Sequence, residues 1–510
     1  TALAVGMLGS IITAGRDDGS RGMYFPKKAY VDEPLPTFED AKDKLPSPVL
    51  DGNPEYLEMY WFCWKLAFKH LKKPQPGSPL VSNFLDEAFS GSIFQWDTIF
   101  MVMFARYGHH VFPAIQSLDN FYVRQHSDGF ICREIHEHNG KDYHPKWESE
   151  SVNPPLFSWA EMENFRVTGD KSRFADVVEV LQRYTDWLEH GRRVPGTVHG
   201  LYYNNGLGSG MDNTPRSGSG WVDMSSQMVM QYNDLAGMYD ALGKPDRAAA
   251  CRARARDIGD RINKYMWNEE DGLYYDVNRL GMQVKWKTAG CFWPMLAGIT
   301  SPAQEEKLIA HLKNPDEFWR PMVFPTLAAD QPFYHPTGRY WHGGVWAPTN
   351  YAIIRGLALR GHHDFARKAV ERYLDGMYKV YKKTGTVWEL YGPDSGNQGT
   401  YDGKHDCRPD FVGWTGDGPI AMLIENVIGI QADAVNNRVV WRLGRADRFG
   451  IERFRFGDVT TSLVCSARSC RDAPATITVS TDKPFTLVTV NHGVEKKFEL
   501  TAGGHTLTVE

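Results

Sequence analysis

The chain lacks any long run of charge of one sign and any apolar stretch long enough to cross a bilayer. Its 510 residues carry a formal net charge of −5, and 42% of them are hydrophobic. Such evenly mixed charge gives no electrostatic basis for binding nucleic acid or an anionic membrane, so neither is expected as a partner. The length and composition are those of a soluble globular protein with a large core and one or two accessory modules.

Cysteine is sparse and follows no pattern. Seven cysteines are scattered along the chain, without a CxxC pair or the Cys/His spacing of a zinc site. Their odd number argues against a disulfide framework, and buried free thiols are expected, although Cys465 and Cys470 are close enough in sequence to pair across a hairpin. We expect no metal and no cofactor. The sequence leaves the oligomeric state open.

The first fifteen residues, TALAVGMLGSIITAG, are apolar but too short to span a bilayer. They are either the remains of a signal peptide or a strand-like arm lying on the fold. No basic region accompanies them, so the support for export is weak. The apolar run itself favours a periplasmic or secreted location over a cytoplasmic one.

Apolar residues recur at helical spacing through most of the chain, for example at Leu57, Trp64 and Leu71. The sequence GKPD at 243–246 predicts a helix stop followed by a new N-cap. Twelve segments are predicted to be helical: 54–73, 94–108, 111–125, 154–168, 171–190, 223–242, 246–267, 286–299, 302–313, 344–360, 362–383 and 414–429. Paired helices repeated six times indicate an (α/α)6 toroid, in which inner helices surround a cavity, rather than a less regular α-solenoid.

After residue 430 the pattern changes to a period of two. Residues 476–481, 485–490 and 505–509 alternate between apolar and polar side chains, and Gly, Pro and Asn separate these runs. This is typical of a β-sandwich, a module that usually braces a neighbouring domain. We therefore expect an extended N-terminal arm (1–50), an (α/α)6 barrel (51–430) and a C-terminal β-sandwich (431–510).

Two acidic residues lie in loops that border the predicted helices. Asp212 lies in GSGMDNTPR (208–216), and Glu389 lies in WELYG (388–392). A protonated acid and an ionised base on either side of a sugar bond are what glycoside hydrolysis requires. Taken alone, neither residue indicates catalysis. A run such as Asp-Asn-Thr-Pro is usually an ordinary turn, in which the Asx side chain bonds to the backbone. The 16 Trp and 23 Tyr suit sugar stacking and a large helical core equally well.

Further motifs place polar or aromatic residues at the edges of helices. They are SIFQWD (92–97), NPPLFSWA (153–160), GRYWHGGVWAPTNY (338–351) and PDFVGWTGDG (409–418). With these, the sequence resembles the inverting α-glycosidases of glycoside hydrolase clan G. Those are the trehalases of family 37 and the enzymes of family 63, which include processing α-glucosidase I and bacterial hydrolases of mannosylglycerate and glucosylglycerate. The resemblance covers about residues 80–430 and is specific, because five separated motifs match in order.

The resemblance implies roles for individual residues. Asp212 corresponds to the general acid of the family motif SG-x-D-x-x-x-R, and Glu389 corresponds to the general base of its E-x-Y motif. Trp96 and Asp97 match a W-D pair that holds the sugar whose bond is cut, and Asn153 lies in a Q-P-P type loop at the same subsite. The residues implied to contact the substrate are Trp96, Asp97, Asn153, Arg216, Trp341, His342, Trp346, Tyr391 and Trp414.

Two features leave the details of the site open. His342 and Gly344 replace the usual Arg and Pro of the family loop, so we expect a changed substrate preference, with poor activity on trehalose and on glucosylglycerate. Arg216 either holds a sugar hydroxyl, orients Asp212, or forms a salt bridge at the base of its loop. Asp212 needs a raised pKa to serve as an acid, which burial beside Met211 and Trp221 would give.

The resemblance implies an inverting exo-α-glycosidase that hydrolyses an α-linked glucoside or a related sugar, in an oligosaccharide or small glycoside. One alternative is a sugar phosphorylase or epimerase on a similar toroid. An epimerase would be expected to use a pair of histidines, which the sequence does not show, and a phosphorylase would need a phosphate site in place of Glu389. Another alternative is a non-catalytic glycan-binding protein, which has no need of an acid–base pair.

Overall fold

A computed structural model describes residues 20–26, 28–87 and 91–510 of the chain. The apolar stretch at residues 1–15 lies outside these residues, so its two interpretations stay predictions. Within the described part, no helix combines the length and apolarity that crossing a bilayer requires. The seven cysteines are free thiols, and Cys470 is the exposed one.

The first four-fifths of the chain is helical. The described residues form twelve α-helices and a π-helix: α1 (Phe38–Ala41), α2 (Pro54–Lys69), α3 (Gln95–Ala105), α4 (Asp119–Tyr122), α5 (Phe157–Thr168), α6 (Ser172–Gly191), α7 (Val222–Ala241), α8 (Pro245–Tyr265), α9 (Trp293–Leu296), α10 (Pro302–Lys313), α11 (Ala347–Leu359), α12 (His363–Thr384) and the π-helix (Gly418–Ile428). Short 3₁₀ turns cover Arg106–Gly108, Ala114–Leu118, Gly206–Ser209, Ala289–Phe292, Thr415–Asp417 and Ala434–Asn436. The prediction of a helix-rich chain is confirmed.

Local sequence explains where several helices begin and end. Ser301 caps α10 by accepting the backbone N–H of Gln304, whose side chain in turn accepts the N–H of Ser301. Gly169 ends α5 in the left-handed conformation, with φ of +67°. Helix α8 begins at Pro245, one residue before its predicted start at residue 246. Proline suits the first helical position because its φ is already helical and its missing N–H has no helical partner there.

Six helices contact one another in a closed order. Helix α3 contacts α5, α5 contacts α7, α7 contacts α9, α9 contacts α11, α11 contacts the π-helix, and the π-helix contacts α3. Other helices pack against these six, such as α8 on α7 and α12 on α11. The motifs singled out in the sequence lie in the loops that precede five of these helices, α3, α5, α7, α11 and the π-helix, or in their first turns.

The interior of this closed set holds a quartet of buried charges, which we call the ring quartet. It consists of Arg106, Glu163, Arg355 and Glu425, whose side chains are at most 9% exposed. Arg106 lies 2.6 Å from Glu425 and 3.4 Å from Glu163. Arg355 lies 3.0 Å from Glu163 and 3.5 Å from Glu425. Each charge therefore has two partners of opposite sign within the quartet, and Glu163 has a third in Arg166.

The chain ends in β-structure, as predicted. The strands in the described residues are β1 (Ser47–Leu50), β2 (Leu71–Lys72), β3 (Phe84–Leu85), β4 (Ser92–Phe94), β5 (Glu134–His136), β6 (Trp267–Asn268), β7 (Leu273–Tyr274), β8 (Asp276–Val277), β9 (Gln283–Val284), β10 (Ile430–Asp433), β11 (Arg438–Arg442), β12 (Phe449–Phe456), β13 (Val459–Cys465), β14 (Ala475–Thr481), β15 (Phe485–Asn491), β16 (Val494–Leu500) and β17 (Gly503–Val509). The large sheets have the orders β1-β12-β13-β14-β17 and β10-β11-β15-β16. Trp441 meets Phe449, and Phe456 meets Phe485, between the two sheets at ring separations of 5.5 and 5.4 Å.

The N-terminal arm joins the C-terminal sheet, which the sequence did not indicate. Strand β1 pairs antiparallel with β12, with Ser47 opposite Glu452. Pro48 lacks a backbone N–H and is tolerated because β1 is an edge strand. The β-structure predicted over 431–510 therefore takes an edge strand from residues 47–50. This edge strand joins the segment before α2 to the C-terminal sheets.

Candidate active site

A cavity of about 170 Å³ lies among loops that precede five of these six helices, namely α3, α5, α7, α11 and the π-helix. It is lined by Phe94, Trp96, Asp97, Arg133, Asn153, Leu207, Gly210, Asp212, Tyr340, Trp341, Glu389 and Trp414. Seven of these were singled out from the sequence. A larger cleft of about 580 Å³ lies between the start of α12 and the C-terminal sheets, but its one lining carboxyl, Asp364, is paired with Arg471 at 3.0 Å.

The loop before α7 brings Asp212 to the cavity. Gly210 has φ of +75°, and a Cβ at this position would lie 2.8 Å from the ring of Trp96, so only glycine allows the turn to rest on that ring. The hydroxyl of Tyr340 donates to Oδ2 of Asp212 over 2.9 Å. Burial raises the pKa of Asp212 to about 6, although Tyr340 and the nearby positive charge of Arg133 oppose the rise.

Glu389 reaches the cavity from a distant part of the chain, after α12. Its Oε2 accepts hydrogen bonds from the hydroxyl of Tyr401 and from the backbone N–H of Arg408, the latter over 3.3 Å. Trp414 fixes the same loop by donating its indole N–H to the carbonyl of Glu389 over 2.8 Å. Burial raises the pKa of Glu389 to about 7, opposed by Tyr401 and Arg408 and assisted by the charge of Asp212.

Four buried polar atoms around the cavity have no hydrogen-bond partner among the described residues. They are two donors, Nε1 of Trp96 and Nε of Arg133, and two acceptors, Oδ1 of Asp97 and Oδ1 of Asn153. Buried polar atoms in proteins nearly always have partners, so four in one small cavity indicate a ligand that supplies both acceptors and donors. Hydroxyl groups do both. The set therefore matches a polyhydroxylated ligand.

Asp97 is a third carboxyl of this cavity and lies in the first turn of α3. Burial raises the pKa of Asp97 well above its usual range, and the charges of Glu389 and Asp212 add to the rise, while Arg133 opposes it. Arg133 is itself held by His144, whose Nε2 lies 2.8 Å from the guanidinium. The cavity is thus acidic, with one buried arginine on its wall.

The structure places Arg216 away from the cavity lining. Its guanidinium forms hydrogen bonds of 2.5–2.8 Å with Asp223 and Asp276, and it lies 4.2 Å from the ring centre of Trp221. Two carboxylates occupy the donors that a sugar hydroxyl or Asp212 would need. Of the roles considered from the sequence, the structure matches the salt bridge at the base of the loop.

Three other expected contact residues lie behind the cavity wall. Trp346 stacks on the outer face of Trp341 at 3.9 Å and 3°, so Trp341 lines the cavity and Trp346 supports it. The ring of His342 packs against Phe333 instead of the cavity. Tyr391 is buried, and its hydroxyl accepts the backbone N–H of Trp388 over 3.1 Å. In each case neighbours in the same motif take the cavity-facing positions.

Sequence reasoning missed Arg133, Tyr340 and Tyr401. Tyr340 lies inside the recognised motif at 338–351, but only the tryptophans and His342 of that motif were predicted to contact the substrate. Arg133 and Tyr401 belong to no motif. Arg133 reaches the site because β4 pairs with β5, and the backbone N–H of Gln95 bonds to its carbonyl over 2.8 Å. That pairing joins distant parts of the chain and leaves no local signature.

Known proteins similar to this chain include glycoside hydrolases. The family model described as mannosylglycerate hydrolase MGH1-like glycoside hydrolase domain matches residues 92–414. An uncharacterised protein of Borreliella burgdorferi is 26% identical over 370 residues, which cover 71% of this chain and 77% of that protein. A periplasmic trehalase of Salmonella paratyphi C is 21% identical, with 76% of each chain covered.

Among solved structures, the family 63 mannosylglycerate hydrolase from Thermus thermophilus, in complex with glucose, matches with a TM-score of 0.55 and 18% identity. The match covers 70% of this chain and 98% of that one. At this level of identity the likeness is one of fold. It extends over nearly the whole of the smaller protein.

Proposed function

The chain belongs to the mannosylglycerate hydrolase MGH1-like glycoside hydrolases, and on that premise we propose that it is an inverting exo-α-glycosidase. Asp212 acts as the general acid and Glu389 as the general base on an α-linked glucoside or related sugar. The observation that carries this proposal is the cavity, where two buried carboxyls with raised pKa share one space with four unpartnered polar atoms.

The size of the cavity supports exo-action. At about 170 Å³ it is smaller than the roughly 300–1,000 Å³ of pockets that enclose drug-sized ligands. A single sugar ring suits such a space better than a chain of sugars does. Trp96, Trp341 and Trp414 give it aromatic walls on which the C–H faces of a sugar stack.

The reaction uses one proton on the carboxyl pair. Asp212 gives this proton to the glycosidic oxygen as that bond breaks, while Glu389 takes a proton from the water that attacks the anomeric carbon. Inversion requires room for that water, and carboxyls in inverting enzymes are about 6.5–9.5 Å apart. Each turnover leaves the single proton on Glu389, from which it returns to Asp212.

The pKa values set the population of the reactive form. At a pH between about 6 and about 7 the pair holds one proton, and the higher pKa of Glu389 keeps the proton there in most molecules. The proposed roles therefore operate through a minor protonation state of the free enzyme.

We propose further that the closed order of α3, α5, α7, α9, α11 and the π-helix is the inner ring of an (α/α)6 toroid, and that the two C-terminal sheets form a β-sandwich that braces it. The contacts between successive helices support the first part. The second is supported by the hydrogen bond from Gly457 N–H to the carbonyl of Val167 on α5, over 2.8 Å.

The alternatives find less support. An epimerase needs a histidine pair, and among the residues that the structure describes no histidine lines the cavity. A phosphorylase needs a phosphate site where Glu389 lies. His342 lies outside the lining, so its replacement of the family arginine no longer gives a reason to expect poor activity on trehalose or glucosylglycerate. Trehalose and mannosylglycerate are instead among the first substrates to test, because the names of similar proteins refer to them.

The test is a screen of aryl α- and β-glycosides and α-linked disaccharides, with product release followed by chromatography. We expect hydrolysis of an α-linked substrate and none of its β-linked counterpart. Proton NMR of the first minutes, before mutarotation, should then show a β-configured sugar as the first product. An initial α-anomer from an α-linked substrate would show retention and would contradict the proposed mechanism.

A further inference from the structure

Two of the three carboxyls of the cavity, those of Asp212 and Glu389, each accept a hydrogen bond from a tyrosine hydroxyl. The hydroxyl of Tyr340 donates to Oδ2 of Asp212 over 2.9 Å. The hydroxyl of Tyr401 donates to Oε2 of Glu389, the same oxygen that accepts the backbone N–H of Arg408. These bonds hold one oxygen of each carboxyl, which leaves Oδ1 of Asp212 and Oε1 of Glu389 as the oxygens to exchange a proton.

Tyr340 occupies an unfavourable backbone conformation. Arg339 and Tyr340 both have positive φ, +36° and +63°, in the region that favours glycine. Strained non-glycine residues persist where the surroundings fix them, and they cluster at functional sites. Here Asn213 fixes the pair, since its Oδ1 accepts the N–H of Trp341 over 2.8 Å and its Nδ2 donates to the carbonyl of Arg339 over 3.3 Å. The strained turn thus holds Tyr340 beside Asp212.

The loops that carry the two tyrosines are joined to each other. The N–H of Tyr340 donates to the carbonyl of Thr400 over 2.7 Å, and the N–H of Thr400 donates to the carbonyl of Thr337 over 3.0 Å. The hydroxyls of Thr337 and Thr400 lie 2.8 Å apart. The rings of Tyr340 and Tyr401 also contact each other, with centres 5.6 Å apart at 62°. A shift of one loop is therefore transmitted to the other.

We propose that Tyr340 and Tyr401 are a coupled pair of positioning residues, a tyrosine clamp that orients Asp212 and Glu389 relative to each other. This rests on the proposed function, in which Asp212 is the acid and Glu389 is the base. The clamp turns Oδ1 of Asp212 towards the glycosidic oxygen and Oε1 of Glu389 towards the attacking water. Neither tyrosine exchanges a proton with the substrate.

The clamp has an electrostatic consequence that differs between its two halves. A hydroxyl that donates to a carboxylate favours its charged form, so removing the hydroxyl raises the pKa of that carboxyl. Tyr340→Phe raises the pKa of Asp212, and the acid then keeps its proton to higher pH. Tyr401→Phe raises the pKa of Glu389, and the base then becomes charged only at higher pH. The two variants should therefore move opposite branches of the pH profile.

The experiment measures kcat and KM from pH 4.5 to 9 for the full-length wild type and both variants. The pKa of Asp212 is the lower of the two, so it sets the acid branch of the profile of kcat/KM, and the pKa of Glu389 sets the alkaline branch. We therefore expect Tyr340→Phe to move the acid branch, and Tyr401→Phe the alkaline branch, each towards higher pH. We expect kcat at the optimum to fall about 10- to 100-fold, as for the loss of a hydrogen bond to a charged group, with KM changed by less than about threefold. Thermal melts show whether the variants fold.

The control is Tyr122→Phe. Tyr122 also donates to a buried carboxylate, Glu161 over 2.9 Å, but neither residue lines the cavity. This variant should keep both branches in place. The position of a branch does not depend on how much of the protein is folded, so a partly misfolded variant still tests the clamp.

Unchanged branches in both tyrosine variants, or a shift of the same branch in both, would overturn the clamp. Asp212→Asn and Glu389→Gln, measured alongside, separate this failure from failure of the proposed function. If those two variants lose activity while the tyrosine variants behave as wild type, the acid–base assignment stands and the clamp does not. If Asp212→Asn or Glu389→Gln keeps wild-type activity, the proposed function fails first.

Discussion

Two groups of buried carboxyls, one among the helices and one in the cavity formed by the loops before them, have different partners and pKa shifts of opposite sign. In the ring quartet, Glu425 contacts two arginines, and Glu163 contacts the same two and also Arg166. The charges of Arg355, Arg166 and Arg106 hold the pKa of Glu163 well below its usual range despite burial. In the cavity, Asp212 and Glu389 accept bonds from tyrosine hydroxyls, and burial raises their pKa to about 6 and about 7.

The difference shows that burial alone does not decide the charge of a carboxyl. Burial disfavours the charged form in both groups, and the partner then determines the outcome. The arginines around Glu163 together bring enough positive charge to overcome the effect of burial there, whereas a tyrosine hydroxyl brings a dipole and offsets only part of it at Asp212 and Glu389. A proton is consequently exchangeable near neutral pH on Asp212 and Glu389 and not on Glu163.

The two groups are also separated along the helices. Arg106 follows Asp97 by nine residues on the segment that contains α3, which corresponds to about 13 Å of helix. The loops at the helix N-termini contain the cavity residues, and the quartet links the helices further along their length. The ion-paired residues of the quartet therefore lie between the helices, and the carboxyls without a cationic partner, Asp212 and Glu389, lie in the cavity where the reaction is proposed.

The largest effect is expected from neutralising the cavity carboxyls. Asp212→Asn and Glu389→Gln should each lower kcat by about 10²–10⁴-fold, the contribution of one general acid or base. The melting temperature should not fall, because neither carboxyl is paired with a cation. Glu161→Gln is the matched control, since Glu161 is as buried but pairs with Arg173 at 2.7 Å away from the cavity. A cavity variant that keeps wild-type turnover would remove that residue from the mechanism.

Breaking the ring quartet should affect stability rather than turnover. Glu163→Gln leaves the buried guanidinium of Arg355 short of a partner, and breaking a buried ion pair costs about 3–5 kcal/mol. Chemical denaturation measures this change, and kcat per folded molecule should stay near wild type. Arg183→Met is the comparison, because its pair with Glu179 is 42–47% exposed and should matter by at most about 1 kcal/mol. Equal effects of the two variants would contradict the role assigned to the quartet.

Asp97→Asn tests the third carboxyl of the cavity. Hydrogen bonds to sugar hydroxyls tighten as the ring flattens towards the transition state, so their loss should lower kcat as well as raise KM. We expect kcat/KM to fall about 10- to 100-fold, in line with the loss of one hydrogen bond to a charged group. Steady-state kinetics on the substrate found in the screen decide this, and a change confined to KM would indicate uniform binding instead.

The sequence predicted what depends on local pattern. Helical spacing located the helices, alternation located β14, β15 and β17, and the motif around Asp212 pointed to a residue that the structure places in the same cavity as Glu389. Contacts between distant segments had no such pattern. Arg133 depends on the pairing of β4 with β5, and the pairing of β1 with β12 joins the two ends of the described chain.

The sequence also did not predict which side chains of a motif face the cavity. Trp341 and Trp346 have the same side chain and lie in one loop, yet one lines the cavity and the other stacks behind it. Arg216 has the spacing of the family motif, but Asp276, far away in the chain, occupies its donors together with Asp223. Spacing fixes which residues are near the site, and long-range partners decide which way they turn.

The two groups of carboxyls should also respond to pH with opposite signs. Asp212 and Glu389 have raised pKa in the folded state, so the stability they contribute is complete below about pH 4 and is lost as pH rises through about 6 and 7. Glu163 has a lowered pKa, so its contribution is present above its unfolded pKa and is lost on acidification. Asp212→Asn should therefore be close to the wild type in stability at pH 4 and exceed it by about 1–3 kcal/mol at pH 8, where the wild type carries a buried charge. Urea unfolding at both pH values measures the difference, and Glu163→Gln, which should lose stability at pH 8, is the control of opposite sign. If the gap between Asp212→Asn and the wild type is the same at both pH values, Asp212 does not titrate between them, and the contrast between the two groups of carboxyls fails at that residue.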